Sequence, residues 1–179
     1  MERETIFTIG HSTRTIEEFA GLLEEYAVES VIDVRRLPGS RRFPQFNADA
    51  LGAALGERGV AFSRLEGLTG RRPVSREVPF EVNAWWQNRS FHNYADHALG
   101  QEFAEALGEL RRAAAARPTA VMCSEAVWWR CHRRIIADHL LAAGNGVRHI
   151  MGAGQVQPAE LSLGAMLGPD REVTYPAES

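Results

Sequence analysis

Val31-Ile32-Asp33-Val34-Arg35 is the stretch on which the architecture turns. Three β-branched residues enclose a single acid, a run apolar enough to be buried on both faces, as strands of a covered parallel sheet are. Upstream, Ile6-Phe7-Thr8-Ile9 is another short β-prone run and ends at Gly10. Between the two lies a helix signal. Thr15 and Glu18 carry capping-box spacing, and Ile16, Phe19, Leu22, Leu23 and Tyr26 recur at helical intervals to about Val28.

Downstream the alternation repeats. A Pro-, Gly- and Arg-rich loop over residues 35–46 leads to Asn47, which caps a helix carrying Leu51 and Leu55 and ended by Gly59. Val60-Ala61-Phe62 is the third predicted strand, followed by a glycine-bearing loop over residues 66–72. Residues 73–90 have no clean period and hold Pro73, Pro79, Trp85 and Trp86, which reads as an excursion or lid. One long helix is expected from about Asn93 to Ala116, a central strand at Ala120-Val121-Met122, a helix over 131–143 and a last strand over 147–151. Such alternation predicts an α/β fold: a single Rossmann-like domain over residues 1–152, its mainly parallel sheet covered by helices on both faces. Residues 153–179 read as a polar C-terminal tail, either packed on the domain or partly disordered.

Composition agrees with one globular domain. The chain has 179 residues, 45% hydrophobic and 24% charged. A domain of this size buries about 70% of its unfolded surface and needs neither disulfide nor metal to fold. The formal charge of −3 announces no global affinity for nucleic acid. All 20 basic residues are Arg and none is Lys, which excludes a Walker A lysine and a lysine Schiff base. A GC-rich coding preference accounts for that composition equally well. Only two cysteines occur, Cys123 and Cys131, the charged start Met1-Glu2-Arg3-Glu4 carries no apolar targeting core, and no run reaches the roughly 18 apolar residues of a membrane span. The expectation is a reduced, cytoplasmic protein with no membrane partner.

Open parallel sheets place ligands beyond the carboxyl ends of their strands. That rule gathers Gly10-His11-Ser12, Asp33-Val34-Arg35-Arg36, the loop from Gly67 to Arg72, and Cys123-Ser124-Glu125 at one edge. The start of the helix at Cys131-His132-Arg133-Arg134 adds free N–H groups that favour an anion. Charge is segregated to match: residues 31–76 hold nine Arg against four acids, net +5, whereas residues 1–30 hold seven acids against two Arg. A phosphate-bearing ligand, either nucleic acid or a small molecule, is the natural occupant.

Each candidate has a plainer reading beside the chemical one. Asp33 acts on substrate, or it fixes the backbone and pairs with Arg35. His11 takes part in catalysis, or it only hydrogen-bonds a neighbouring loop. Arg35, Arg36, Arg41 and Arg42 contact phosphates, or they form a solvated face. Trp85, Trp86, Trp128 and Trp129 stack bases, or they belong to the core or to a homodimer contact. Glu125, just past a buried strand, is costly there unless paired or used. Cys-x7-Cys with the adjacent His132 is poor zinc spacing, so no metal is expected. Cys123 is a buried structural residue or a thiolate with a pKa lowered by arginines.

Several separated motifs then form a recognisable set. Thr8-Ile9-Gly10-His11-Ser12-Thr13 opens it, and Val31-Ile32-Asp33-Val34-Arg35 follows with Pro38, Ser40-Arg41, Pro44 and Phe46. Tyr94-Ala95-Asp96, Met122-Cys123-Ser124-Glu125 and Cys131-His132-Arg133 complete it. Together they resemble the bacterial and archaeal family catalogued as domain of unknown function 488, over residues from about 6 to about 151. The resemblance implies an α/β fold and marks His11, Ser12, Asp33, Arg35, Tyr94, Cys123, Glu125, His132 and Arg133 as family-defining, without supplying a reaction. Trp128-Trp129 stand where that pattern has a short loop. A weaker similarity to rhodanese-like domains rests on the Asp-Val-Arg strand, but the chain lacks a compact cysteine-to-arginine cradle after Cys123.

The functional expectation is an enzyme directed at nucleic acid or a nucleotide. Its most concrete form is a lysine-independent, monofunctional hydrolase of the N-glycosidic bond of a modified or damaged base, of the kind that serves DNA repair, working without a cofactor. Glu125, Asp33 and His11 are the catalytic candidates. Ser12, Arg35, Arg36, Arg41, Tyr94, Cys123, Ser124, His132 and Arg133 are the substrate-binding ones. The alternatives are rhodanese- or phosphatase-like chemistry through Cys123 and a non-catalytic nucleotide-binding module.

Overall fold

The run at residues 31–34 does form a central strand. In the computed structural model, which describes residues 4–39 and 41–178, β2 (Ser30–Asp33) is buried at every position. Residues 1–3 of the charged start and Ser40 of the arginine-rich loop lie outside the described residues. β2 sits between β3 (Ala61–Arg64) and β4 (Thr119–Cys123), and β4 lies against β1 (Thr5–Gly10), which in turn pairs with β5 (Gly146–Gly152). These five strands are mutually parallel in the order β3-β2-β4-β1-β5.

Alternate residues along the strands feed two cores, as the period of two requires. Ile9, Val31, Ala120, Met122 and Ile150 face α1 (Ile16–Glu25) and α2 (Ala48–Glu57), through Phe19, Leu22, Leu23, Leu51 and Leu55. Ile6, Ile32, Val34, Val121 and Val147 face the opposite layer, formed by α3 (Arg89–His97), α4 (Gln101–Ala116) and α5 (Arg133–Ala142). Each fully buried Leu, Ile or Phe contributes about 1.5–3 kcal/mol relative to exposure, so the alternation fixes both strand register and helix faces. The expected capping box is present: Thr15 Oγ1 accepts the Glu18 N–H and the Thr15 N–H donates to Glu18 Oε1, both at 3.0 Å. Among the described residues, no helix is long and apolar enough to cross a membrane.

Two elements differ from the sequence reading. The single long helix is two, because α3 ends at His97 and α4 begins at Gln101 with Gly100 as its N-cap. Glycine costs about 1 kcal/mol inside a helix and nothing at a cap, so the break falls where the chain loses least. The segment after residue 152 packs on the domain, one of its two readings, and adds strands that the sequence reading did not include. β6 (Gln155–Pro158) joins the sheet antiparallel to β5, and β7 (Met166–Leu167) pairs with β8 (Val173–Thr174). Tyr175 is fully buried there and its hydroxyl donates to Asp138 Oδ2 at 2.7 Å. The excursion at 73–90 is pinned by buried Asn83, which donates to Asp96 Oδ1 at 2.7 Å and accepts the Tyr175 N–H at 3.0 Å.

Candidate functional site: an arginine-lined pocket

The carboxyl ends of β1 and β4 meet because Gly10 has no side chain. A Cβ there would stand 1.6 Å from the Glu125 carbonyl oxygen, a backbone atom that cannot step aside cheaply. With glycine in place, the His11 N–H donates to the Cys123 carbonyl at 2.9 Å and the Ser12 N–H to the Ser124 carbonyl at 3.0 Å. Ser12 holds a left-handed backbone, φ 50°, to make that second bond. The loop after β4 is thereby turned outward and opens a cavity of about 440 Å³.

Four arginines reach the cavity: Arg35, Arg36, Arg71 and Arg130. Phe91 and Trp129 supply aromatic wall, and Glu125 is the only carboxylate in the lining. Glu125 is exposed at the rim, so the expectation of a carboxylate made costly by burial does not hold. The reason is the outward turn just described, in which its main-chain carbonyl, not its side chain, faces the protein. That carbonyl accepts Arg133 Nη2 at 2.7 Å.

Of the other expected site residues, Tyr94, Cys123, Ser124 and His132 line the same cavity. Tyr94 is buried with its hydroxyl donated to the Leu68 carbonyl at 2.7 Å, and burial pushes its pKa well above the ordinary value. His132 Nε2 donates to the Val34 carbonyl at 2.9 Å, which leaves Nδ1 as the acceptor, 3.5 Å from Cys131 Sγ. Gly70 makes room for this ring, since a Cβ there would come within 2.8 Å of Nδ1. Burial is the main cause that lowers the His132 pKa, so the ring is neutral near pH 7.

His11, Ser12, Asp33, Arg41 and Arg133 stand outside the lining. Asp33 is fully buried, and its Oδ1 accepts the Arg35 main-chain N–H at 3.0 Å and Nε at 2.9 Å, while Oδ2 accepts Nη2 at 2.8 Å. The carboxylate therefore holds Arg35 in place. His11 stacks on Phe46 with centroids 4.4 Å apart and donates Nδ1–H to the Ser12 carbonyl at 2.9 Å. Desolvation lowers its pKa, which keeps it neutral. Arg41 is exposed on its loop.

Three of the four tryptophans are spent inside the fold. The Arg134 guanidinium lies 4.9 Å from the Trp86 ring centroid, 5.8 Å from Trp128 and 6.0 Å from Trp85, a cation–π cage. Of the four, Trp129 alone lines the arginine pocket.

Of the two readings of Cys123, the buried residue is the one observed, and it is not the activated thiol. The Cys123 and Cys131 sulfurs are 2.8 Å apart and both thiols are free. Burial pushes Cys123 well above the ordinary thiol range. Burial also acts to raise Cys131, but its hydrogen bond with Cys123, the Arg133 charge and the Arg133 N–H outweigh it and bring its pKa down to about 7. Sequence reasoning missed Cys131, Arg71, Arg130 and Phe91 as lining residues. Arg71 and Cys131 had a signal, each in a segment that the strand-end rule assigns to this edge. Among the described residues, no group of three His, Cys, Asp or Glu could hold a metal ion.

Fold and site together define an α/β protein with a cationic pocket at the carboxyl edge of a parallel sheet. The chain belongs to the family described as Domain of unknown function DUF488, whose model matches residues 15–140. No curated protein and no solved structure matches it.

Proposed function

We propose that the protein is a hydrolase acting on nucleic acid or a nucleotide, and in its most concrete form on the N-glycosidic bond of a modified or damaged base. The observation that carries this reading is the gathering of four arginines, three aromatic side chains (Phe91, Tyr94 and Trp129) and one carboxylate around a single cavity of about 440 Å³. That volume falls within the roughly 300–1,000 Å³ of small-molecule sites and suits one nucleotide. Arg36, Arg71 and Arg130 hold phosphates, and Arg35, locked by Asp33, adds a fixed cation at the floor. Phe91 and Trp129 stack the base, an interaction of about 1–3 kcal/mol that tolerates different bases.

Glycosidic cleavage builds positive charge on the sugar, and Glu125 is the one lining group able to stabilise it while orienting water. Asp33 and His11 position the loops and take no direct part. With no lysine in the chain, the N-terminal amine is the one amine left for a Schiff base, and without its use the abasic product stays uncleaved. The test incubates wild type and Glu125→Gln with oligonucleotides carrying a panel of modified bases, each sample divided for treatment with and without alkali. Strand breaks that require alkali and occur with wild type alone support the proposal. Breaks without alkali identify a nuclease instead, and breaks of equal yield with Glu125→Gln remove Glu125 from the reaction.

A further inference from the structure

Arg133 is fully buried, and its charge needs an answer. Its Nη1 donates to Thr8 Oγ1 at 3.0 Å and its Nη2 to the Glu125 carbonyl at 2.7 Å, while the buried Nε has no partner. Among the described residues, no carboxylate forms an ion pair with it. A buried cation without a counter-charge is expensive. That charge also acts on Cys131, lowering its thiol pKa, and Cys131 Sγ accepts the Arg133 main-chain N–H at 3.5 Å at the start of α5 and lies 2.8 Å from Cys123 Sγ. Both cysteines, although buried, belong to the lining of the arginine pocket, next to any ligand lodged there.

We propose that Cys131 and Cys123 are a redox-active dithiol that reduces low-molecular-weight disulfides bearing carboxylates, which the arginine-lined cavity admits. The Cys131 thiolate attacks one sulfur of the disulfide RSSR, forming a mixed disulfide and expelling RS⁻. The Cys123 thiol then attacks Cys131 Sγ, its proton leaving with the second RS⁻ as RSH, and the Cys123–Cys131 bond forms. Two electrons pass from the dithiol to RSSR, and the products are RS⁻ and RSH. The sulfurs close to a bond length of about 2.05 Å from a separation of 2.8 Å, a short approach. His132 Nδ1, 3.5 Å from Cys131 Sγ, accepts a hydrogen bond from that thiol whenever it is protonated. Oxidation takes the thiolate away from Arg133, so the disulfide form is the less stable one, opposite to a structural crosslink. None of these steps uses Glu125, and the activity stands or falls independently of the hydrolase reading.

The experiment uses the full chain, reduced and freed of reductant, with oxidised glutathione as the probe. Wild type is expected to lose both thiols and to yield a Cys123–Cys131 crosslinked peptide carrying no glutathione. Cys123→Ser is expected to retain glutathione on Cys131, and Cys131→Ser to react at least roughly tenfold more slowly. Two readouts on wild type need no variant to fold. Brief iodoacetamide treatment should label Cys131 before Cys123, and the oxidised protein should melt at a lower temperature than the reduced one. Wild type that keeps both thiols, labelling of Cys123 first, or a higher melting temperature on oxidation overturns the proposal.

Discussion

Asp33→Asn separates a residue that holds the site from one that acts on substrate. The carboxylate is fully buried and the Arg35 guanidinium 6% exposed, with two side-chain contacts at 2.8 and 2.9 Å and a third to the Arg35 N–H at 3.0 Å. Removing the charge leaves a nearly buried guanidinium uncompensated, which costs about 3–5 kcal/mol. Domain stabilities are about 5–15 kcal/mol, so the variant forfeits a large share. With a urea slope of about 2 kcal/mol per molar, the unfolding midpoint should fall by roughly 2 M. Adding Arg35→Met to Asp33→Asn should return part of the loss, because no unpaired charge then remains. Equilibrium urea unfolding of the two variants and wild type reads both effects. A midpoint for Asp33→Asn within roughly 0.3 M of wild type, or a double variant no better than the single one, refutes the positioning role. In that case a catalytic role for the carboxylate regains its standing.

Gly10→Ala should be costly, by about 1–3 kcal/mol or more, because the added methyl meets backbone at the Glu125 carbonyl. Thermal melting reads this, and a melting temperature equal to wild type would mean the loop after β4 has another way to turn. Stability should also fall in mild acid. Burial lowers the pKa of His149 to about 3 and of His139 to about 4, so both are neutral in the folded chain and protonate first in the unfolded one. Their contribution is complete above pH about 6.5 and is lost as the pH falls toward those values, with a slope of up to about 1.4 kcal/mol per pH unit for each. Denaturant midpoints at pH 7.5 and 5 check this, and His139→Phe should flatten the slope. Tyr175→Phe removes the hydrogen bond to buried Asp138 and should cost about 1–3 kcal/mol in the same assay, whereas an unchanged midpoint would make the C-terminal segment peripheral to the fold.

The sheet was legible because its strands carry their own signal. Residues 31–34 and 119–123 are buried at every position, and such strands need no context to be recognised. The capping box at Thr15 and Glu18 was legible for the same reason, being purely local. β6 was not, since Gln155-Val156-Gln157 is an exposed edge strand that exists only by pairing with β5. The site divided along similar lines. The edge at which the loops converge followed from the rule that open parallel sheets bind beyond the carboxyl ends of their strands, but the exposure of Glu125 depended on the close approach of Gly10, a contact between residues far apart in sequence. For Asp33 and Cys131 the partners lie close in sequence, and what the sequence does not fix is the direction each side chain takes. Of the two readings of Asp33, the pairing with Arg35 is the one the structure shows, and Cys131 gains its character only from Cys123 and Arg133 around it.

The arginine pocket as a phosphate site is open to direct measurement, through the salt dependence of binding of a 5′-phosphorylated oligonucleotide carrying an abasic-site analogue. Wild type, Arg36→Ala and Arg71→Ala would be titrated across a range of ionic strength. Both side chains belong to the cavity and both residues are exposed, so their removal should leave the fold intact. Each loss is expected to weaken binding and to reduce the slope of log affinity against log salt by about 1. Affinity and slope identical to wild type in both variants would mean that phosphates do not bind in this pocket, and the nucleic-acid reading would fall with it.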